Sequence, residues 1–156
     1  MRFSGERQVP AAVGAVWAGL HDPTVLRTVV PGCVEMSVLG DGRYAATLQA
    51  RVGRIADSYR GTFSVADVEP GSELRVRVQA AGRFGRLEVD LYVTLAEGST
   101  AATTSLRYDA EAVVGGLVSR LGGPALTVAG GHFTAAFFRD LDHVVATVQE
   151  RSAPTR

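Results

Sequence analysis

The clearest strand pattern in the sequence is Leu87-Glu88-Val89-Asp90-Leu91-Tyr92-Val93-Thr94-Leu95. Its odd-numbered side chains are aliphatic, whereas the even-numbered ones carry a charge or a hydroxyl group. Successive side chains of a strand point to opposite faces of a sheet, so this alternation predicts a β-strand with one buried face and one wet face.

The same alternation recurs in several segments between positions 33 and 114, each bounded by glycine, proline or aspartate. The clearest are residues 43–52, 59–65, 74–79 and 102–111. Short turns join neighbouring segments, as at Gly40-Asp41-Gly42. Strands joined this tightly must pair antiparallel, because parallel pairing needs a longer crossover.

Helical spacing of apolar residues flanks this region. Residues 10–20 place Val13, Val16, Trp17 and Leu20 on one stripe, and a second short helix can start at Asp22-Pro23 and must stop before Pro31. A long C-terminal helix is predicted with its buried stripe formed by Leu126, Gly130, Phe133, Phe137, Leu141, Val144 and Val148, and with Arg139, Asp142 and His143 away from that stripe.

The order of these elements predicts an α+β fold of the helix-grip type. A curved antiparallel sheet of about six to seven strands wraps around the long C-terminal helix, and two short helices follow the first strand. With 156 residues and 16.4 kDa, one core suffices, so we predict a single domain over residues 1–150 and a polar end over residues 151–156. This architecture tends to leave a hydrophobic cavity between sheet and helix.

Composition limits the class of partner and the cellular location of the protein. Sixteen arginines balance sixteen acidic residues, and a net charge of zero argues against nucleic acid or an anionic membrane surface as the main partner. Cys33 is the only cysteine, and the three histidines are dispersed, so neither a disulfide nor a metal site is expected. The N-terminus has no apolar signal core and no apolar run is long enough to span a bilayer, which predicts a cytoplasmic protein.

Catalytic signatures such as GxSxG, HExxH and a Walker loop are missing, so no enzymatic activity is predicted. The inner register of the sheet holds small and aliphatic residues, with Tyr44, Tyr59, Thr104 and Tyr108 as polar exceptions, and charges fall on the outer register or in turns. Such a cavity suits an apolar molecule with one or two carbonyl or hydroxyl groups. The alternative is that each tyrosine is a core aromatic with a satisfied hydroxyl.

Gly130-Gly131 lies inside the predicted long helix, where each glycine costs about 1 kcal/mol relative to alanine. Two explanations stay open: close packing of the helix on the sheet, or a loosened first turn that opens a portal. The portal hypothesis predicts that Gly130→Ala with Gly131→Ala stabilises the fold and slows ligand exchange.

The stretch from Val16 through Trp17, Leu20 and Asp22-Pro23 to Pro31-Gly32-Cys33 resembles the CoxG family, a family of proteins associated with aerobic carbon monoxide dehydrogenase. That family belongs to the SRPBCC (START/Bet v 1-like) superfamily. The resemblance covers about residues 1–145. The further matching positions are residues 40–44, 52–53, Gly61, Gly82 with Gly85, Thr104 with Tyr108, 113–117 and 121–122.

The resemblance implies a helix-grip fold and a non-catalytic role beside a molybdenum-containing CO dehydrogenase. The family is associated with recruiting that enzyme to the inner face of the cytoplasmic membrane, and with a bound quinone such as menaquinone in the central cavity. No covalent cofactor is expected. Relatives extend into an apolar membrane-seeking tail, which in this chain would have to lie beyond Arg156.

We therefore predict a protein that holds a quinone-like lipid between sheet and terminal helix. The predicted ligand-binding residues are Trp17, Tyr44, Leu48, Tyr59, Phe63, Leu106, Tyr108, Leu117, Leu121, Phe133 and Phe137. Two alternatives remain: an enzyme of the same superfamily, such as a polyketide cyclase or dehydratase, which would need an acid or histidine in the cavity, and a purely structural interaction module.

Overall fold

The computed structural model describes the backbone of residues 1–152 and the side chains of residues 1–147. The predicted polar end over residues 151–156 lies mostly outside the described residues. Seven strands, three α-helices and one short 3₁₀ helix follow one another along the described chain. In order they are β1 (Arg2–Val9), α1 (Val13–Leu20), α2 (Pro23–Val29), β2 (Cys33–Gly40), β3 (Arg43–Val52), β4 (Ile55–Glu69), β5 (Glu73–Ala81), β6 (Arg86–Glu97), β7 (Thr104–Gly115), the 3₁₀ helix (Leu117–Leu121) and α3 (Gly123–Ser152).

The strands form one antiparallel sheet in the order β1-β7-β6-β5-β4-β3-β2, with α3 across its inner face. This confirms the predicted helix-grip architecture. Because β2 to β7 are joined by short turns, each pairs with its sequence neighbour, and β1 closes the order by pairing with β7. Strands β3, β5 and β7 run in the same direction, so their ends lie at one end of the sheet.

The best-buried part of the core lies at the other end of the sheet, against α1 and α2. Val16 of α1 and Leu106 of β7 are almost completely buried there, together with Leu141 of α3. The hydroxyl of the fully buried Thr104 donates to the Ala11 carbonyl oxygen at 2.7 Å, which satisfies a polar pair inside this apolar region. These contacts fix the junction between β1 and α1.

The buried face of α3 differs from the predicted one. Phe138, Leu141 and Val145 are at most 6% exposed, whereas Phe133, which we predicted on the buried stripe, is 42% exposed. Five residues separate Phe133 from Phe138, so at 100° per residue their side chains leave the helix about 140° apart. The prediction was wrong about Phe133, because this helix carries apolar residues around a wide arc and spacing alone does not choose between faces.

Gly130 and Gly131 have different surroundings. A Cβ atom added at Gly130 would lie 2.6 Å from the ring of Phe3 on β1, whereas one at Gly131 would meet nothing within 4 Å. The surroundings of Gly130 therefore favour the close-packing explanation, and the stabilisation of the double variant stays a prediction, for which Gly131 offers the clear space.

We expect Gly131→Ala to raise the free energy of unfolding by about 1 kcal/mol, because it adds helix propensity at no steric cost. Gly130→Ala should gain clearly less or destabilise the protein, because Phe3 must move aside. Denaturant unfolding of the two single variants measures both values. Equal stabilisation by both substitutions would contradict the packing of Phe3 on the helix backbone.

Candidate functional site

The inner face of the sheet is less well covered at the end where β3, β5 and β7 terminate. Inner-face residues near α1 and α2, such as Leu74, Leu95 and Leu106, are at most 5% exposed. Toward the other end, the inner-face aliphatic residues are only half-buried. We call these the half-buried patch: Leu48, Val78, Leu87, Val89 and Val114.

The 3₁₀ helix and the first turns of α3 lie over this part of the sheet. Leu121 approaches Gly53 in the β3–β4 turn, and Gly130 of α3 packs on Phe3 of β1. Val118 is 2% exposed and packs against Gly85. The patch is therefore an apolar surface between sheet and helix that the protein's own side chains cover incompletely.

The tyrosines of the inner face are spread over three strands. Tyr44 on β3 is buried and stacks on Phe63 at 4.8 Å between ring centroids, while Tyr108 on β7 lies 5.6 Å from the ring of Phe138. Tyr59 on β4 is opposite Leu48. Within residues 1–147, none of the three hydroxyl groups has a protein hydrogen-bond partner and none is fully buried, so each can bond to water or to a ligand.

Burial raises the pKa of both Tyr44 and Tyr59 above the ordinary value of 10.0, and the nearby charges of Asp22 and Asp57 add to the respective shifts. Both phenols are therefore protonated at neutral pH. Each can donate one hydrogen bond to a carbonyl oxygen.

Charged groups also reach the inner side of the sheet, contrary to the prediction that they fall only on the outer register and in turns. Arg7 lies on the inner register of β1, its Nη2 is 3.0 Å from Asp142 Oδ2, and its guanidinium lies 5.1 Å from the centroid of Phe138. Asp142 therefore faces the sheet, although we predicted it away from the packed stripe. Arg7 Nε and Asp142 Oδ1 are buried without a partner among the described residues.

A second polar pair lies at the α1 end. His21 Nδ1 is 2.7 Å from the Trp17 carbonyl oxygen, and His21 Nε2 is 2.7 Å from Asp67 Oδ1. The His21 ring also lies 4.5 Å from the Trp17 ring. Both ring nitrogens of His21 therefore already contact a protein oxygen atom.

Asp57 also occupies the inner register, near the end of the sheet. Its carboxylate accepts the backbone N–H groups of Ser58, Arg83 and Phe84 at 2.8, 3.1 and 2.9 Å. The hydrogen bond from Phe84 contributes most to lowering the pKa of Asp57, with smaller contributions from the other two N–H groups and from the charge of Arg83. Asp57 thus fixes the β5–β6 turn, and a Cβ at Gly82 would collide with it.

We expect Asp57→Asn to destabilise the protein at neutral pH and to change its acid sensitivity. The folded pKa is lowered, so the stability that Asp57 contributes is complete above its ordinary value of 3.8 and is lost as the pH falls toward the folded value. In urea unfolding, the difference in the free energy of unfolding between wild type and Asp57→Asn should therefore be smaller at pH 3 than at pH 7. Asp41→Asn, in an exposed turn, is the control, and an equal difference at both pH values would contradict the role of Asp57.

Two open concavities lie near β1, and no residue of the half-buried patch lines either of them. One, of about 500 Å³, runs over the outer face of β1, β6 and β7 and is lined by Glu6, Tyr92 and Arg107 among others. The other, of about 530 Å³, lies between the β1 edge and α3, next to Arg7 and Phe138. Both are lined by charged as well as apolar residues and open to solvent, which makes them less suited to an apolar ligand than the patch.

The predicted ligand-binding residues fall into three groups in the structure. Leu117 and Phe133 are exposed, and Tyr44, Tyr59 and Leu106 are buried. The remaining ones are half-buried: Trp17, Leu48, Phe63, Tyr108, Leu121 and Phe137. Ligand contact by these residues stays a prediction. Sequence analysis missed Val78 and Val89 as candidates, although both lie in the correct register of the alternation.

A family model described as the CoxG component of carbon monoxide dehydrogenase matches residues 5–146. No curated protein matches the sequence significantly. Within the described residues, no helix is both long and apolar enough to cross a bilayer.

Several solved structures have the same fold. A conserved protein from Geobacillus kaustophilus is 24% identical, with a TM-score of 0.88 over 94% of this chain and 96% of that chain. A START superfamily protein from Mycobacterium smegmatis is 12% identical, with a TM-score of 0.73 over 94% and 98%. The Zhui aromatase/cyclase of a Streptomyces species is 13% identical, with a TM-score of 0.71 over 94% and 93%. At these identities the similarity shows the fold alone.

Proposed function

Because the chain belongs to the CoxG family of carbon monoxide dehydrogenase, we propose that it is a non-catalytic accessory protein that binds a quinone-like lipid such as menaquinone. In this proposal it serves an aerobic molybdenum CO dehydrogenase at the inner face of the cytoplasmic membrane. The ligand lies between the inner face of the sheet and the first half of α3.

The half-buried patch is the observation that carries the proposal. A folded chain of this size has enough core to bury its central strands, yet Val78 stays partly uncovered on the middle strand β5, as does Val89 on the adjacent strand β6. Covering about 400 Å² of an isoprenoid tail and these side chains would gain on the order of 10 kcal/mol before the costs of association.

The tyrosines supply polar contacts for a ligand of this class. Tyr59 lies beside Leu48 of the patch and carries a protonated hydroxyl without a protein partner in residues 1–147. A quinone carbonyl accepts one hydrogen bond from such a donor, whereas a saturated lipid offers nothing at this position. The combination of an apolar surface with an isolated donor favours a quinone over a plain acyl chain.

The charged groups of the inner side favour binding over catalysis. His21 contacts a backbone carbonyl and a carboxylate. Asp57 accepts three backbone N–H groups, and Asp142 is paired with the guanidinium of Arg7. A general acid or base needs a titratable atom within reach of the substrate. The alternative, an enzyme like the cyclase neighbour, has one specific candidate in Asp142, whose Oδ1 lacks a partner among the described residues.

Native mass spectrometry of the purified chain mixed with menaquinone tests the proposal. We expect a complex of one protein with one menaquinone that survives transfer, and binding that is weaker by up to about tenfold for a hydrocarbon of equal length that lacks the quinone ring, because that molecule loses one hydrogen bond. A protein that takes up neither molecule, or that converts a polyketide substrate while Asp142→Asn does not, would contradict it.

A further inference from the structure

The zero net charge of the chain conceals a separation of charge between the two ends of the sheet. The ends of β3, β5 and β7 lead into three segments: residues 51–57, 82–86 and 116–122. These segments contain a single acidic residue, Asp57, whose carboxylate is occupied by three backbone N–H groups. They contain five arginines, which we call the arginine pole: Arg51, Arg54, Arg83, Arg86 and Arg120.

The three segments form one surface. The Val118 N–H of the 3₁₀ helix donates to the Phe84 carbonyl oxygen at 2.9 Å, which joins the 3₁₀ helix to the β5–β6 turn. Leu121 lies 3.5 Å from the Cβ position of Gly53, which joins it to the β3–β4 turn. The five arginines therefore lie around one end of the sheet, on strand ends, turns and a 3₁₀ helix that direct contacts hold together.

All five arginines of the pole are exposed. Among the side chains of residues 1–147, none of the five is paired with a carboxylate, although ion pairs form elsewhere, as between Arg2 and Asp109 or Arg107 and Glu6. Like charges brought together without counter-charges repel one another, so this surface is complementary to an anionic partner.

The opposite end of the sheet has the reverse character. Its turns and strand ends carry the exposed acidic residues Asp41, Asp67, Glu69, Glu73 and Glu97. The molecule is therefore strongly dipolar, and the field of an anionic surface would turn the arginine pole toward it.

Exposed apolar side chains lie among and beside these arginines. Leu117 of the 3₁₀ helix is 47% exposed, and Val128 and Phe133 on the adjoining part of α3 are 59% and 42% exposed. Residues 123–138, the first sixteen residues of α3, include no arginine, lysine, aspartate or glutamate. Basic residues around exposed aliphatic and aromatic groups are typical of surfaces that bind the interface of an anionic bilayer.

We propose that the arginine pole docks onto the surface of an anionic lipid bilayer, with Leu117 entering the headgroup region and the arginines contacting lipid phosphates. Zero net charge argues against an anionic membrane as the main partner, but it averages over two ends of opposite sign and so does not describe the arginine pole. This inference names the docking surface for the proposed membrane role and does not depend on the identity of the bound ligand.

Flotation of the full chain with vesicles tests the docking surface. Wild type should bind vesicles of phosphatidylcholine mixed with phosphatidylglycerol, bind pure phosphatidylcholine much less, and lose binding as salt is raised. Each arginine near an anionic surface should contribute a factor of about five. The triple variant Arg54→Ser, Arg83→Ser, Arg120→Ser should therefore bind roughly a hundredfold more weakly.

The matched control is the triple variant Arg27→Ser, Arg43→Ser, Arg77→Ser, which removes three exposed arginines of equal charge away from the pole. It should lose no more than about fivefold, since distant charges are screened. Leu117→Ser should lose about tenfold with the charge unchanged. Thermal unfolding of each variant verifies that the fold is retained.

Two results would overturn the docking surface: wild type that does not bind phosphatidylglycerol vesicles, or equal losses of vesicle binding in the two triple variants. A third would be binding to polyglutamate that depends on the pole, without binding to vesicles. That result would indicate an acidic protein as the partner of the pole. Menaquinone binding by the same variants separates the two proposals. A chain that binds menaquinone but not vesicles contradicts only the docking surface, and a chain that docks without binding menaquinone contradicts only the ligand.

Discussion

Replacing Phe138 by alanine should lower the free energy of unfolding by about 4 kcal/mol. The ring is 6% exposed, packs at 5.6 Å from Tyr108 and at 5.5 Å from Phe137, and lies under the guanidinium of Arg7. Its removal leaves a cavity at the crossing of α3 and β1 and exposes the Arg7–Asp142 pair. Urea denaturation followed by circular dichroism measures the loss.

Phe133→Ala is the matched control, because it removes the same side chain from the same helix at a position that is 42% exposed. We expect it to cost about 1 kcal/mol or less. The two values together test which face of α3 is buried. Similar losses, or a larger loss at Phe133, would show that the helix packs with the face that its sequence spacing predicts.

Replacing Val89 by tryptophan should weaken menaquinone binding roughly a hundredfold, because the indole fills the space over the half-buried patch that the ligand would occupy. Val89 lies on β6 between Val78 and Ala112 of the flanking strands. Val89 is half-buried, and thermal unfolding of the variant verifies that the fold is retained. Titration of menaquinone, monitored by native mass spectrometry, gives the affinity.

Val113→Trp is the control, because Val113 lies on the outer face of the neighbouring strand β7, opposite Glu88, and is 58% exposed. It adds the same indole on the other side of the sheet and should leave menaquinone binding within about twofold of wild type. Equal weakening by both variants would mean that the ligand is not held on the inner face.

The strands and their order could be predicted from the sequence because their signal is local. Alternation in residues 87–95 sets the inner and outer registers, and the short turns require antiparallel pairing. The fold then follows from the need to cover one apolar face with the long terminal helix.

The packed face of α3 could not be predicted because it depends on contacts distant in sequence. Phe133, Phe137 and Phe138 all read as apolar, and only the position of α3 against β1 buries Phe138 and exposes Phe133. Gly130 is a similar case, because the residue that leaves no space for a Cβ atom there is Phe3, which is distant in sequence. Helical periodicity carries no information about such partners.

The polar features of the candidate site were hidden for a similar reason. Arg7 and Asp142 are distant in sequence. Asp57 lies in a strand, and its hydrogen bonds to the β5–β6 turn join residues that are also distant in sequence. The arginine pole likewise forms only where the turns after β3 and β5 meet the 3₁₀ helix. The net charge of the whole sequence is zero and gives no sign of it.

Photo-crosslinking with a menaquinone analogue that carries a diazirine on its isoprenoid tail tests the central claim most directly. If an apolar ligand lies between sheet and helix, the labelled peptides should contain Val78, Val89 and the Phe137 region of α3. Labelling of Tyr92 and Arg107 on the outer face would contradict the claim. Labelling that excess unmodified menaquinone does not reduce would contradict it as well.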